Sequence, residues 1–319
     1  MDDKRNEGRK QWAERHPEVE ATRSMKRRMV GHDYDGVDIY MVTMCVDGRQ
    51  ERLGALCGPD ATHPQPWVNP TPLGEKVKAE WQGIPRYYPQ IKILALVLMP
   101  DHIHGILHVT ERLPVHLGQV ISGFKAGCNR IARGMGEQYP LWEPGYNDKV
   151  LRGAGQLDRW FEYLRDNPRR LWIKRHHREY FTVAHLNIAG TTVDAMGNLN
   201  LLKHPTILQV YCSRRMSAKE IAHEGDLLLA QNAVLVSPSI SPGERAIMNR
   251  ALEAGVPTVF ICDNGFGEMA KPGGKLFDAC AAGKVLLISN HQHHNDYQRL
   301  TAERCHEMNA LARSIANRQ

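Results

Sequence analysis

The chain has 319 residues, and its 42% hydrophobic content is enough to bury the cores of two domains of ordinary size. No apolar run approaches the length of a membrane-spanning helix and the first twenty residues are strongly charged, so we expect a cytoplasmic protein without a secretory signal. Seven scattered cysteines without a CxxC pair exclude a disulfide framework and a zinc knuckle, while the net charge of +6 is compatible with an anionic partner.

The first half of the chain has an α+β pattern. Residues 1–34 form a polar arm with a basic run at 25–28, and residues 35–182 alternate between strand and helix signals. We predict a strand, its hairpin partner, a Pro-rich loop, a helix, two strands separated by Pro100-Asp101, a helix, an irregular connection and a last helix closed by Pro168, over residues 39–46, 52–57, 58–70, 71–82, 93–99, 102–109, 115–133, 142–150 and 156–167. Such a pattern predicts an antiparallel sheet covered on one face by helices.

The second half of the chain has a different pattern. Strands are predicted at 234–237, 256–262 and 285–289, and helices at 243–253 and 276–282. Regular alternation of strand and helix indicates a parallel α/β sheet. We place the domain boundary near 182–195, where Gly190 and Gly197 interrupt the chain, and assign residues 195–319 to an α/β domain.

One predicted strand contains two histidines, His102 and His104, separated by Ile103. Side chains two residues apart on a strand face the same way, so both imidazoles can bind one metal ion while Ile103 packs on the other face. Asp101 is placed to orient one of the rings. His108 shares the face but lies about 13 Å further along at strand rise, too far to bind the same ion.

The last helix of the first half carries Tyr163 and Asn167, one helical turn apart. Its apolar stripe consists of Leu157, Trp160, Phe161 and Leu164, and Tyr163 lies roughly 110° from the centre of that stripe at about 100° per residue. The spacing puts the tyrosine hydroxyl beside the Asn167 amide. The alternative is a half-buried tyrosine next to an asparagine that ends the helix.

The same helix continues into a basic segment. Residues 159–178 contain seven basic and two acidic side chains. Such a cluster can neutralise the phosphates of a nucleic acid, although a solvated helix face would have the same composition. The candidate DNA-binding residues are Arg159, Arg165, Arg169, Arg170, Lys174 and Arg175.

Taken together, these groups could form a phosphodiester-cleaving site. A metal ion on the two imidazoles would polarise a scissile phosphate, and Tyr163 would attack and remain attached. Arginine and lysine side chains would hold the flanking phosphates.

Three segments in this half resemble the IS200-like transposases, which include the REP-associated tyrosine transposases. Residues 99–107 read MPDHIHGIL and resemble the family's MPNHxH signature. Residues 141–148 read LWEPGYND and resemble its LWQxxYYDH segment, and residues 163–168 read YLRDNP and resemble its YIxxNP segment. The resemblance covers about residues 35–180.

This resemblance implies a ferredoxin-like HUH domain that acts on folded, hairpin-containing single-stranded DNA as a homodimer. It implies Tyr163 as the nucleophile and His102, His104 and Asn167 as ligands of Mg²⁺ or Mn²⁺. Two positions depart from the family pattern, because Asp101 stands where asparagine is usual and Lys149 where histidine is common. Tyr146 is a second candidate nucleophile, but it does not share a helix with a ligand-type side chain.

The second half resembles the Rossmann-like SLOG superfamily, which includes the DNA-processing protein DprA and the LOG phosphoribohydrolases. The resemblance lies in residues 237–244, SPSISPGE, which follow a strand and open a helix whose N-terminal amides suit phosphate. Residues 265–267 and 271–275 would form further loops at the strand ends, where nucleotide or DNA would bind. A structural accessory domain is the alternative, and the histidines at 291, 293 and 294 fit an exposed loop better than a metal site.

These features favour a single-strand DNA transposase and leave two alternatives. The same residues would serve a domesticated enzyme that processes chromosomal repeats, or a nickase similar to replication initiators. A nucleotide- or DNA-binding module with a decayed N-terminal site is the alternative from another class.

Overall fold

The computed structural model describes residues 29, 31–137, 139–267, 272–294 and 298–317. The predicted basic arm, apart from its last residues, and Lys271 of the predicted loop at 271–275 lie outside the described residues. The chain divides into two compact units, Met1–Trp172 and Ile173–Gln319. The boundary predicted near 182–195 falls later in the chain, at an antiparallel hairpin that belongs to the second unit.

The first unit is a mixed α/β structure built around a four-stranded antiparallel sheet. Its strands are β1, β4, β5 and β6, and a separate two-stranded sheet consists of β2 and β3. The elements of this unit in chain order are β1 Asp38–Cys45, β2 Gly54–Cys57, β3 Trp67–Pro70, α1 Pro72–Gln82, α2 Ile84–Tyr87, β4 Ile91–Leu98, β5 His102–Val109, α3 Leu117–Gly134, β6 Asn147–Val150 and α4 Gln156–His176.

The order of strands in the main sheet is β4-β5-β1-β6, and neighbouring strands are antiparallel. Helix α1 lies between β1 and β4 in the chain, and helix α3 lies between β5 and β6. The strands before and after each helix are not neighbours in the sheet. Both helices pack on one face, where Tyr40 and Val42 of β1 and Ile103 of β5 meet Trp81 and Phe124. This packing matches the predicted face of Ile103.

The opposite face of the sheet is also covered, which corrects the prediction of helices on one face. Trp160 and Leu164 of α4 pack against Met41 of β1 and Ile106 of β5 in a second apolar cluster. The amphipathic stripe of α4 is the physical reason, because burying two large apolar side chains contributes about 1.5–3 kcal/mol each. The sequence defined this stripe but not the face that it covers.

Three other sequence predictions were wrong for the first unit. Strand β2 pairs with β3, inside the predicted Pro-rich loop, and not with β1. The connection predicted to be irregular contains β6, which pairs with β1. Pro168 does not close the last helix, since α4 continues to His176 with the proline in its interior. The side-chain nitrogen of Asn167 donates to the backbone carbonyl of Tyr163 at 2.8 Å, just before the proline.

The second unit contains one mixed sheet of six strands between two helical layers. Its elements are β7 Ala184–Ile188, β8 Thr191–Gly197, β9 Ile207–Gln209, α5 Ala218–Leu229, β10 Val234–Ser237, α6 Pro242–Glu253, β11 Thr258–Ile261, α7 Gly274–Ala281, β12 Val285–Ser289 and α8 Ala302–Ala316. Strands β9 to β12 are parallel; β10, β11 and β12 correspond to the three predicted strands, whereas β9 was not predicted. Strand β8 joins β12 antiparallel, with β7 outside it.

The two helical layers of this unit follow from the burial pattern. Met308 and Leu311 of α8 pack on one face of the sheet, against Val236 and Ile288. Ile247 of α6 packs on the other face, in the cluster that contains Leu228 of α5. Right-handed crossovers between sequential parallel strands place their helices on one side, which leaves the opposite face for α8.

Replacing Gly105 of β5 with alanine tests the packing of the first unit. A Cβ atom at this position would lie 2.1 Å from Cζ2 of Trp81, which is fully buried. We expect Gly105→Ala to lower the free energy of unfolding by about 1–3 kcal/mol, because an overpacked core must shift. All six tryptophans lie within residues 1–172, so tryptophan fluorescence during urea unfolding reports on this unit alone.

The matched control is Gly123→Ala on the exposed side of α3, where a Cβ atom would meet nothing within 4 Å. It should raise the free energy of unfolding by up to about 1 kcal/mol, since alanine is the better helix former. Equal midpoints for Gly105→Ala and the unmodified protein would contradict the close approach of Trp81 to β5.

Candidate active site

His102 and His104 lie next to each other on β5, on the face that α4 covers. Their ring centroids are 4.8 Å apart, with the two planes at 87°. His104 is buried and His102 is partly buried. The period of the strand brings the two imidazoles together, as the sequence predicts.

Tyr163 reaches the same place from α4. Its ring centroid lies 5.5 Å from that of His104, with the planes inclined by 68°. Trp160 and Leu164 fix the helix on the sheet, and Tyr163 lies at the border of the same apolar cluster, half-buried. One chain therefore brings together the predicted nucleophile and a predicted ligand pair.

Asn167 follows Tyr163 by one turn of α4 and is 6% exposed. Its side-chain nitrogen donates to the carbonyl of Tyr163. An amide that donates through nitrogen keeps its oxygen as an acceptor. This hydrogen bond orients the Asn167 side chain on its own helix, and the amide oxygen is the atom that could bind a metal ion.

The Nδ1 atom of each imidazole has a partner on the protein. Nδ1 of His102 lies 2.6 Å from Oδ1 of Asp101, and Nδ1 of His104 lies 2.7 Å from Oγ1 of Thr43. A carboxylate only accepts, so His102 must donate through Nδ1–H, and the lone pair of the neutral ring is then on Nε2. Metal-binding histidines are commonly held in this way.

Thr43 was not identified from the sequence. It lies on β1 directly opposite His104 in the β1–β5 register. That register depends on which strands pair, and the predicted hairpin between β1 and residues 52–57 is wrong. A threonine in a strand of β-branched and apolar residues carries no signal of its own.

The surroundings of Asp101 favour an ionised carboxylate, which can orient the ring of His102. Burial raises the pKa of this carboxyl, but the hydrogen bond and electrostatic attraction of His102 and the charge of Arg49 outweigh it and hold the pKa below the ordinary value. Nε of Arg49 lies 3.1 Å from Oδ2 of Asp101. The carboxylate of Asp101 therefore has its own cation.

These donors suit a divalent ion of intermediate hardness. Two imidazole nitrogens with one amide oxygen are compatible with Mn²⁺, and oxygen ligands from water and phosphate would complete its coordination. Among the described residues, no three His, Cys, Asp or Glu side chains converge in a metal-binding group. Within the described part of the chain, a third protein ligand beside the two histidines would therefore have to be a side chain of another type, such as Asn167.

The competing tyrosine, Tyr146, is placed differently. It is 5% exposed and belongs to the cluster on the opposite face of the sheet, with Trp142 and Phe124. Asp148 of the same segment accepts a hydrogen bond from the hydroxyl of Tyr34 at 2.6 Å. This segment forms part of the core behind the sheet.

The six predicted DNA-binding residues lie along α4. Arg159, Arg165 and Arg175 are exposed, and the other three are partly buried. Asp166 forms ion pairs with Arg169 and Arg170, so part of the positive charge is balanced within the helix. The last residues of the helix, including Lys174 and Arg175, belong to the second unit.

In the second unit, the predicted loop at 237–244 begins at the carboxyl end of β10, and the predicted loop at 265–267 follows the carboxyl end of β11. The amides expected to bind phosphate, however, have partners in the protein. Oε2 of Glu244 accepts from the amides of Ile240 and Ser241, and the Ser241 hydroxyl accepts from the amide of Glu244. A buried carboxylate thus already occupies this end of α6, and a nucleotide or DNA ligand of this unit stays a prediction.

The three histidines at 291, 293 and 294 belong to a loop after β12. His293 Nδ1 lies 3.1 Å from the carbonyl oxygen of Gly265, and the backbone of His294 exchanges hydrogen bonds with the Asn264 side chain. These contacts join two loops and fit the polar-loop interpretation.

Comparison with known proteins gives one relative in sequence and several distant likenesses in structure. No protein-family profile matches the chain. A protein of Haemophilus influenzae described as uncharacterised is 27% identical over 161 residues, which is 44% of this chain and 86% of that protein. In the described part of the chain, no helix has both the length and the apolar character to cross a membrane.

Two solved structures illustrate the distant likenesses. A REP-associated tyrosine transposase bound to a REP hairpin is 15% identical, with a TM-score of 0.32, over 43% of this chain and 70% of that one. DNA processing protein A from Helicobacter pylori is 18% identical, with a TM-score of 0.33, over 44% and 68% of the two chains. At these TM-scores, neither likeness decides the fold or the function.

Metal binding should depend on position along β5. We expect the protein to bind Mn²⁺, and His104→Ala to weaken this binding by at least about tenfold, because one of the few protein ligands is lost. Isothermal titration calorimetry measures the affinity. His108→Ala is the matched control, since His108 lies on the same face four residues further along the strand. Equal losses for the two variants would contradict a site at His102 and His104.

Proposed function

We propose that the chain is a metal-dependent transposase that cleaves and rejoins single-stranded DNA through a covalent phosphotyrosine. One observation carries the proposal: the ring of Tyr163 lies 5.5 Å from that of His104, which lies 4.8 Å from that of His102. The order and content of the three sequence segments that resemble IS200-like transposases support it.

Tyr163 would act as the nucleophile. Its phenol oxygen forms a bond to phosphorus, the bond from phosphorus to one deoxyribose oxygen breaks, and that oxygen leaves as a hydroxyl after taking up a proton. The phenolic proton passes to solvent. Because a phosphodiester is exchanged for another phosphodiester, the reverse attack by a DNA hydroxyl rejoins the strand and releases the tyrosine.

The remaining residues of the site would position the reacting groups. Imidazoles of His102 and His104 and the amide oxygen of Asn167 would hold a divalent ion, which supplies Lewis-acid polarisation of the phosphate when bound. Thr43 and Asp101 keep the two rings oriented through Nδ1. Exposed Arg159 and Arg165 would contact flanking phosphates, together with Arg169 and Arg170 of the same unit.

The strand order of the first unit supports a ferredoxin-like HUH fold for this enzyme. The core strands in chain order are β1, β4, β5 and β6, and helices connect β1 to β4 and β5 to β6. Across the sheet these strands follow the order second, third, first and fourth. For the second unit we propose a Rossmann-like accessory domain, on the basis of its four sequential parallel strands. Hairpin-containing single-stranded DNA and a homodimer remain part of the proposal through the family resemblance alone.

The domesticated repeat-processing enzyme and the initiator-like nickase use the same residues, and no observation favours either. A decayed site is the weaker alternative because His102, His104, Tyr163 and Asn167 are all present and the first three lie together. Cleavage activity separates this alternative from the enzyme.

Tyr163→Phe should abolish covalent attachment of DNA while leaving the fold intact, because only the attacking oxygen is removed. The measurement is incubation with Mn²⁺ and 5′- and 3′-labelled single-stranded hairpin DNA of varied sequence, followed by a denaturing gel that detects a protein–DNA adduct. Binding of the same DNA, measured by fluorescence anisotropy, should change less than about threefold, since phosphate contacts by arginine and lysine dominate affinity.

Tyr146→Phe is the matched control and should still form the adduct. An adduct formed by Tyr163→Phe would overturn the assignment of the nucleophile. Adduct loss in Tyr146→Phe alone would transfer the role to Tyr146, and absence of an adduct with the unmodified protein on every hairpin would favour the decayed site.

A further inference from the structure

Arg49, Asp101 and His102 form a chain of polar contacts at one end of the main sheet. Nε of Arg49 lies 3.1 Å from Oδ2 of Asp101, whose Oδ1 lies 2.6 Å from Nδ1 of His102. The two carboxylate oxygens therefore have separate tasks, since one faces the guanidinium and the other the imidazole. Arg49 is the outermost of these three residues, and its side chain is about one-third exposed.

The backbone around Asp101 is fixed independently of its side chain. The amide of Val46 donates to the carbonyl of Asp101 at 2.8 Å, and the amide of Leu53 donates to the carbonyl of Pro100 at 2.9 Å. The β4–β5 turn is thereby tied to the end of β1 and to the start of β2. What this backbone does not fix is the rotation of the Asp101 carboxylate, on which its contact with His102 depends.

Arg49 is held in an unusual conformation to reach Asp101. Its φ is 56° and that of Gly48 is 59°, so two successive residues occupy the left-handed region. Glycine, asparagine and aspartate adopt this conformation at least cost, and arginine has no advantage there. The turn alone therefore does not explain an arginine at this position.

The guanidinium is also held at a second point. Nη1 of Arg49 lies 2.7 Å from Sγ of Cys45, which is directly opposite His102 in the β1–β5 register. Two contacts in different directions orient the planar group more firmly than a single ion pair would. The arginine thus lies across the end of β1, with its Nε directed at the carboxylate.

We propose that Arg49 is a positioning residue of the active site, which orients the Asp101 carboxylate so that His102 keeps its proton on Nδ1 and presents Nε2 to the metal ion. This inference rests on the proposed function for the identity of the ion. The orientation of His102 itself is a property of the metal-free protein. The left-handed backbone at Arg49 is the conformational cost of this arrangement.

Arg49→Gly is the decisive variant, because it removes the guanidinium and at the same time relieves the left-handed backbone. If Arg49 served only the turn, replacing it with glycine would increase the stability of the protein. We expect urea unfolding, followed by tryptophan fluorescence, to give a midpoint at least as high as that of the unmodified protein. Mn²⁺ affinity should nevertheless fall by about tenfold, as for other groups that orient a metal ligand.

The tautomer of His102 provides a readout without metal. In protein labelled with ¹⁵N-histidine, long-range ¹H–¹⁵N correlation spectra distinguish Nδ1–H from Nε2–H, and a His102→Gln sample assigns the signal. The unmodified protein should show the Nδ1–H form, and Arg49→Gly should show a mixture. Arg112→Ala is the control, since it breaks an exposed ion pair with Asp33 beyond the other end of β5.

A double-variant cycle tests the pathway through Asp101. With Asp101→Asn the carboxylate charge is gone, so adding Arg49→Gly should change Mn²⁺ affinity by less than about twofold. Three outcomes would each overturn the proposal. The losses of Mn²⁺ affinity in the two single variants could add fully in the double variant. The His102 tautomer could be unchanged in Arg49→Gly, or the variant could lose Mn²⁺ affinity only because its stability is lower. If the unmodified protein bound no Mn²⁺, the proposed function would fail, while the tautomer comparison would still decide the role of Arg49.

Discussion

The candidate site depends on the packing of α4 against the second face of the main sheet. Trp160 and Leu164 are nearly inaccessible to solvent, and their partners Met41 and Ile106 come from the two central strands, β1 and β5. Since the histidines precede Ile106 on the same face of β5, any helix that buries Ile106 must pass close to them. Tyr163 is adjacent to Leu164 on α4, so the contact that seals this face also delivers the phenol to His104.

The same constraint explains why polar side chains remain buried there. His104 and Asn167 are both 6% exposed, and each has a hydrogen-bond partner, in Thr43 and in the Tyr163 carbonyl. A buried polar group without a partner costs about 1–3 kcal/mol, so the apolar contacts of α4 can enclose these groups only because the partners are present. The site is therefore enclosed by hydrophobic packing and kept in one arrangement by hydrogen bonds.

The sequence predicted those parts of the site that depend on short-range periodicity. The two histidines share a face because strands alternate, and Tyr163 and Asn167 share a flank because helices repeat every 3.6 residues. Three of the four parallel strands of the second unit, β10 to β12, were predicted because each is a short apolar segment that alternates with helical segments, whereas the three-residue strand β9 was not predicted. The roles proposed for these residues came from the family resemblance, which periodicity cannot supply.

The pairing of strands that are distant in the sequence could not be predicted from short-range periodicity. Strand β6 consists of Asn147–Val150, three polar residues and a valine, and it is recognisable only by its pairing with β1. The β7–β8 hairpin resembled a linker because of Gly190, yet Ala189 and Gly190 have φ values of 50° and 84° and form a tight turn between paired strands. Both elements lie at or near sheet edges, where apolar alternation is weakest.

The position of Pro168 shows how local rules and tertiary structure compete on one helix. Proline removes one helical hydrogen bond and costs about 3 kcal/mol in a helix interior, which is why the sequence predicts that the helix ends there. In the structure, the apolar contacts before Pro168 and the ion pairs of Asp166 with Arg169 and Arg170 hold the chain on both sides of it. The helix therefore continues, and Arg169 and Arg170 follow Tyr163 within the same helix and the same unit. An end of the helix at Asn167 would have left Arg169 and Arg170 outside it, whereas the continuous helix contains these two basic residues together with the candidate nucleophile.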